Sequence, residues 1–297
     1  MNRRNFLQHT AIAALATSGG SLLQSRTLAP QPLNKKSLKF GMIKEDIPLV
    51  EKFKLLLELG YDGVELDSPN DLSEKEILQA RDESGIIIPG VVNSIHWKSP
   101  LSDPDPEVRK VCTDSMIDAL HKCKLYGGTT VLLVPAVVND QVSYGDAWSR
   151  SVEEIKKILP EAHKTGIKIA IENVWNNFLL SPLEAAQYVD QFESDHIGWY
   201  MDIGNVVRYG WPEHWIKALG NRILKVDVKE YSRKKQQEEG IWKGFDVEIG
   251  DGDCGWKKVN EALTEVGYSG WGSAEVSGGD RERLQEISTR LDRVFAL

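Results

Sequence analysis

Four carboxylates stand at matching places in four consecutive apolar runs. The run "IKIAIENV" closes on Glu172 and "IGWYMDIGN" on Asp202, while "ILKVDVKEY" carries Asp227 and "WGSAEVSGG" reaches Glu275. Each run has the β-branched and aromatic content of a buried strand. The third is filled oddly: Lys225, Asp227 and Lys229 alternate with Val226 and Val228, so the three charged side chains share one face. An inward aspartate is costly unless something pairs with it. Taken singly, each of the four acids reads as a helix cap or a lysine partner. Four that meet at one point cannot all stay ionised without a counter-charge. A divalent cation with oxygen ligands supplies it, and an all-oxygen set of Glu172, Asp202, Asp227 and Glu275 suits Mn2+ or Mg2+, with Co2+ tolerated. Four carboxylates around one dication still leave negative charge, which Lys225 or Lys229 is placed to offset.

The acids meet only if their strands lie side by side. Upstream, "LKFGMI", "DGVEL", "IIIPGVVN" and "TTVLLVP" supply four more strand patterns, and amphipathic helices run between them. "IPLVEKFKLLLELG" stops at Gly60, "DPEVRKVCTDSMIDALHKCKLYGG" opens on Pro106, and "SPLEAAQYVDQF" has Ser181 and Glu184 as a capping box. Eight βα units predict an α/β single domain, a (β/α)8 TIM barrel over residues 38–297. Its strands converge at their C-terminal ends, where the four acids stand. An open doubly wound sheet would carry a Gly-rich phosphate turn after its first strand, and "FGMIKEDIP" has none. The long connection "EYSRKKQQEEGIWKGFDVEIGDGDCG" follows strand seven and reads as a loop at the barrel mouth.

The chain has 297 residues and a net charge of −8, with 36 basic and 44 acidic side chains. No basic stripe for nucleic acid fits that balance. The leader "MNRRNFLQHTAIAALATSGGS" pairs Arg3 and Arg4 with Phe6-Leu7 and a short run of small apolar residues. This is the layout of a twin-arginine (Tat) export signal over residues 1–29, and it implies a periplasmic protein. The apolar run is too short for stable membrane insertion. Removing those residues takes Arg3, Arg4 and Arg26 and no acid, leaving 33 basic against 44 acidic, or −11. Cys112 and Cys123 lie eleven residues apart on one expected helix, about 16 Å by helix rise and too far for a disulfide. Cys254 stands alone in a Gly/Asp loop, and all three read as free thiols.

From about residue 38 onward the chain resembles the xylose isomerase-like TIM barrels, the sugar phosphate isomerase/epimerase group that includes ketose 3-epimerases. The resemblance implies a metal held by Glu172, Asp202, the strand-seven position and Glu275, with Glu172 and Glu275 as the catalytic groups that move protons. That family's strand-seven motif is His-x-Lys-Asp-Tyr, and here it reads Asp227-Val-Lys229-Glu230-Tyr231. A second departure is Asn205 in "DIGN", where many epimerases have another histidine. "NSIHWKSPLS" resembles the family's His-Trp pair, with His96 to bond hydroxyls and Trp97 to stack on a sugar ring. Lys229 and Arg208 are further substrate-binding candidates, with a salt bridge and a surface position as their respective alternatives. Glu65 ends strand two without an assigned role. Trp175, Trp211, Trp242 and Trp256 fall in loops at the same face, some of them as packing. An aromatic, acidic mouth suits a neutral sugar or glycoside as the small-molecule partner.

The function implied is metal-dependent isomerisation or epimerisation through an enediolate. Two alternatives stay open: β-elimination from a 3-keto-glycoside at the same site, and a non-catalytic sugar-binding barrel. A phosphorylated substrate is disfavoured, because "GDGDCG" places Asp251 and Asp253 where phosphate wants bare amides or cations. The His-rich multi-zinc DNA-repair barrels are a poor match, with six histidines in all and His9 inside the leader. Homo-oligomerisation is left open by the sequence. One expectation is testable on the leader alone. Replacing Arg3 and Arg4 together by Lys is expected to hold the precursor in the cytoplasm on cell fractionation; unchanged periplasmic delivery would contradict the twin-arginine reading.

Overall fold

The computed structural model describes residues 31–297, and the export signal expected over residues 1–29 lies outside them. Eight parallel strands close into a barrel in sequence order. They are β1 (Leu33–Lys39), β2 (Gly63–Ser68), β3 (Gly90–Asn93), β4 (Thr130–Leu133), β5 (Lys168–Glu172), β6 (Ile197–Asp202), β7 (Ile223–Val228) and β8 (Gly270–Ala274). Helices α1 (Leu49–Glu58), α2 (Glu74–Ser84), α3 (Pro106–Tyr126), α4 (Tyr144–Thr165) and α5 (Pro182–Asp190) follow the first five strands in turn. A short α6 (Ile203–Val207) and α7 (Pro212–Leu219) follow β6, then α8 (Arg233–Glu239) and α9 (Trp256–Glu265) follow β7, and α10 (Arg281–Phe295) closes the ring. The expected (β/α)8 TIM barrel is what the chain forms.

Local chemistry sets several boundaries. Asp105 and Ser181 cap α3 and α5 by accepting from the Glu107 and Glu184 amides, each with proline at the first helical turn. Gly127 and Gly166 end α3 and α4 at φ 84° and 75°, a left-handed conformation a side chain would strain. Pro89 offers no amide to a ladder, and β3 accordingly begins at Gly90 rather than within "III". Cys112 and Cys123 are buried on α3 and free, as is Cys254, and burial pushes the first two thiols up to about 12. Among the described residues, no helix is long and apolar enough to cross a membrane.

Two elements differ from the sequence expectation. The first strand is "LNKKSLK" rather than "LKFGMI", and Phe40–Met42 form a 3-10 turn instead. Pairing with both β8 and β2 makes a strand of a Lys-rich segment whose own β preference is weak. The segment after β7 is not an open loop either. Ser232 caps α8, and residues 241–245 form a 3-10 turn whose Phe245 packs on Tyr231 with ring centroids 4.8 Å apart.

The main core lies between the strands and the helix ring. Inside the barrel the contents are mixed. Leu132, Ala170 and Tyr200 form a small apolar group, while Ser37, Glu65, Lys225, Asp227 and Ser273 are buried polar side chains. Register explains why they share the interior. Asp202 is level with Asp227, Asp227 with Ser273, and Lys39 with Glu65. Alternation along each strand then turns Ser37 and Lys39, or Lys225 and Asp227, to the same side.

Candidate metal centre

One oxygen from each of Glu172, Asp202, Asp227 and Glu275 lies within 4.8 Å of all the others. The first three come from β5, β6 and β7, and Glu275 is the first residue beyond β8. Asp202 divides its oxygens between two tasks. Oδ1 accepts from the Asn205 amide at 2.7 Å and so caps α6, which leaves Oδ2 toward the cluster, 2.9 Å from Lys229 Nζ. Lys229 also reaches Glu275 at 3.3 Å. Asp227 Oδ2 has neither a hydrogen-bond donor nor an ion partner among the described residues, and Asp227 Oδ1, Asp202 Oδ2 and Glu275 Oε2 have only lysine ammonium groups. Buried carboxylate oxygens with so few donors are costly. Such oxygens, converging at one point with Glu172, fit a divalent cation with hard ligands.

The charges support that fit. Glu65, which the sequence left without a role, is held by Lys225 and Lys39 at 2.7 Å each, with Tyr200 Oη donating at 2.8 Å. Lys39 continues to Asp227 Oδ1 at 3.0 Å. Five carboxylates (Glu65 and the four of the cluster) therefore face three ammonium groups, Lys39, Lys225 and Lys229. The acids outnumber the ammonium groups, and a cation would offset the excess. Burial raises the Glu172 carboxyl well above the usual range, and repulsion from Glu275, Asp227 and Asp202 adds to it. Burial likewise raises Asp227 against the pull of Lys39. Glu275 moves the other way, because Lys229 and Lys39 outweigh its burial. The two glutamates of the site are thus shifted in opposite directions.

A cavity of about 720 Å3 opens over the cluster. Glu172 and Glu275 line it, as do Lys39 and Lys229, whereas Asp202 and Asp227 lie behind. His96 and Trp97 are on the wall. His96 Nδ1 accepts from the Val134 amide at 3.3 Å, so the neutral ring carries its proton on Nε2. Of the four loop tryptophans, Trp175 and Trp242 line the cavity and stack with centroids 4.8 Å apart. Trp256 is buried instead, and Trp211 lies beneath the Arg233 guanidinium. Arg208 is not brought to the cavity wall: it is exposed and stacks on Trp175 at 4.7 Å. Lys225 does not offset the cluster directly, being committed to Glu65.

Sequence reasoning missed three site residues. Lys39 comes from the strand that was misplaced. Asn173 fastens β5 to β6 by donating to the Asp202 carbonyl at 2.8 Å and accepting from the Asp202 amide at 3.0 Å. Asn205 joins the same web through the Asn173 carbonyl at 2.9 Å. Glu230 is the third: its carboxylate accepts from the Gly250, Cys254 and Tyr231 amides and from the Trp256 indole, at 2.7–3.2 Å. A Cβ on Gly252 would come within 2.6 Å of Glu230 Oε1, so only glycine lets this loop close around the acid. One signal was available: an acid after β7 facing a Gly-rich loop with spare amides.

The model of the xylose isomerase-like TIM barrel family matches residues 53–293. The chain belongs to that family. Among its relatives, the L-ribulose-5-phosphate 3-epimerase UlaE of Escherichia coli O1:K1 / APEC is 24% identical over 251 residues, 79% of this chain and 86% of that one. The D-psicose 3-epimerase of Ruminiclostridium cellulolyticum is 23% identical over 227 residues, 72% and 73% of the two chains. Among solved structures, the 3-keto-D-glucoside 4-epimerase YcjR from E. coli superposes with a TM-score of 0.74 at 15% identity, covering 89% of this chain and 99% of that one. D-psicose 3-epimerase with D-tagatose from Clostridium cellulolyticum H10 gives 0.71 at 16%, covering 88% and 98%. At such identities the superpositions show the shared xylose isomerase-like fold.

The state of His96 gives a pH prediction. Burial lowers its pKa to about 4, against about 6.5 in an unfolded chain. The fold favours the neutral ring, so this contribution to stability is complete above pH 6.5 and is lost as pH falls toward 4. Its size over that window is about 3 kcal/mol. In urea unfolding at pH 7 and pH 4, His96→Asn is expected to lose that much less stability on acidification than the wild type. Parallel losses in the two proteins would show that His96 is accessible to protons in the folded state.

Proposed function

We propose that the protein is a divalent-metal-dependent sugar isomerase or epimerase acting on a non-phosphorylated carbohydrate. The observation that carries the reading is the division of labour within the cluster: Asp202 and Asp227 are buried behind, while Glu172 and Glu275 belong to the same four-carboxylate group and face the cavity. The relatives named as an L-ribulose-5-phosphate 3-epimerase and a D-psicose 3-epimerase support the epimerase part of the reading, the first being named for a phosphorylated sugar and the second for a free one.

Glu172, Asp202, Asp227 and Glu275 would hold the cation, Mn2+ or Mg2+ with Co2+ tolerated. The ion supplies positive charge that polarises a carbonyl and acidifies the neighbouring C–H bond. One glutamate, as carboxylate, takes that proton, and the other, as carboxylic acid, returns one. Return to the opposite face of the same carbon epimerises it, and return to the former carbonyl carbon isomerises the sugar. Lys229 holds Asp202 and Glu275 in place. His96 Nε2–H is available to a sugar hydroxyl, and the Trp97 face to a sugar ring.

Support for a substrate without phosphate comes from two sides. The Gly250 and Cys254 amides of the loop after β7, which could have cradled an anion, are already taken by Glu230. The basic side chains on the cavity wall, Lys39 and Lys229, are engaged by carboxylates. A second reading is favoured by the cavity itself. Its 720 Å3 is in the range for drug-sized ligands, and Trp97 and Trp242 are 52% and 66% exposed. Such a site admits a glycoside. If the carbon next to the deprotonated one carries the glycosidic oxygen, the C–H electrons form a C=C bond and that oxygen leaves with its bonding pair. The product is that of a 3-keto-glycoside lyase, and export to the periplasm would give such an enzyme access to glycosides.

Incubation in D2O with free ketoses and 3-keto-glycosides, followed by NMR, separates the readings. Deuterium beside the carbonyl with an inverted or shifted centre marks epimerase or isomerase; a released aglycone marks the lyase. Glu172→Gln or Glu275→Gln is expected to lower turnover about 10²–10⁴-fold. Near-wild-type turnover in either variant would remove that glutamate from the mechanism, and no exchange on any substrate would leave a binding barrel.

A further inference from the structure

We propose that Lys39 sets the charge of the metal centre and so selects a divalent over a trivalent cation. The inference rests on the metal reading above and goes beyond it by assigning the choice of ionic charge to the first strand. Lys39 is the last residue of β1, two strands from β7 around the barrel. Its Nζ lies 2.7 Å from Glu65 Oε2, 3.0 Å from Asp227 Oδ1 and 4.6 Å from the centroid of the Tyr200 ring. Tyr200 Oη in turn donates to Glu65 Oε2 at 2.8 Å. Partners on three strands hold the ammonium in one place, unlike a surface lysine that moves between nearby acids.

Its position decides the arithmetic of the site. Lys225 is tied to Glu65, and Lys229 to Asp202 and Glu275. Among the described residues, Lys39 is the ammonium that stands on Asp227. The carboxylates of the site outnumber its three lysines. Without Lys39 the excess of negative charge grows by one. Attraction inside a barrel scales with the product of the charges and is weakly screened, so the extra negative charge favours a trivalent ion more than a divalent one. Removing the charge of Asp227 as well cancels that increase. Lys39 is therefore a positioning residue, acting on the ion through Asp227.

The experiment measures Mn2+ and Tb3+ affinities by competition, with Tb3+ luminescence as the signal, and the melting temperature in chelator. In Lys39→Met the affinity ratio of Tb3+ to Mn2+ should rise at least about tenfold, with a lower melting temperature in the absence of metal. Lys39→Arg should keep the wild-type ratio, and Lys39→Met/Asp227→Asn should restore it. Should Lys39→Met fail to fold, Lys39→Gln, polar but uncharged, carries the test, and the ratio should again rise. An unchanged ratio in Lys39→Met, or in Lys39→Gln where that variant is used, overturns the proposal. A wild-type protein with no saturable cation site overturns the metal reading and this inference together. A saturable site indifferent to Lys39 overturns this inference alone.

Discussion

The rest of the site depends on one electrostatic constraint: carboxylates buried inside a parallel barrel need compensating positive charge. Glu65, Asp202 and Asp227 are almost wholly out of solvent, and Glu172 is nearly so. Desolvation opposes each of them, and only opposite charge or donors at short range can offset it. The chain meets the need twice. Lysines from β1, from β7 and from just beyond β7 neutralise part of the charge, and oxygens short of donors mark the remainder as a place for a cation. The order of the strands makes this feasible, because β7 and β8 bring Asp227 and Glu275 between β6 on one side and β1 on the other.

A second acid is handled by different means. Glu230 is buried beside the same cavity, yet its partners are neutral N–H groups from the loop that closes over it. Those bonds fasten the segment that carries Trp242 and Phe245 to the mouth. Aromatic stacking of Trp175 on Trp242 and on Phe245, each at 4.8 Å, ties the wall from β5 to the wall from β7. The site is therefore polar and charged at its floor and aromatic on this wall, a combination suited to a ring with hydroxyls on its edge and C–H bonds on its face.

Much of this was legible in the sequence, for identifiable reasons. The apolar runs of β4 to β8 are strong enough to place the strands, and strand ends are the one feature of a barrel that sequence order projects onto a single mouth. Glu172, Asp202, Asp227 and Glu275 could be read together on that ground. Lys39 could not. Its strand, "LNKKSLK", has little apolar periodicity and exists because β2 and β8 pair with it. Arg208 has two readings in sequence, a substrate contact or a surface position, and it is exposed over the Trp175 ring, because the direction of a side chain after a strand depends on local backbone turns. Which of the four loop tryptophans pack and which line the cavity depends on the same turns. The roles of Asn173 and Glu230 rest on hydrogen bonds to backbone groups, which composition and spacing do not encode.

The central claim is that Asp227 is a ligand in a four-carboxylate centre for one divalent ion. Its most direct test is Mn2+ titration of metal-stripped protein, with free Mn2+ followed by electron paramagnetic resonance, on the wild type and on Asp227→Ala. The account predicts one saturable Mn2+ per wild-type chain and an affinity at least about tenfold weaker in the variant. Equal affinity in the two proteins would contradict it and leave Asp227 as an ion partner of Lys39 alone.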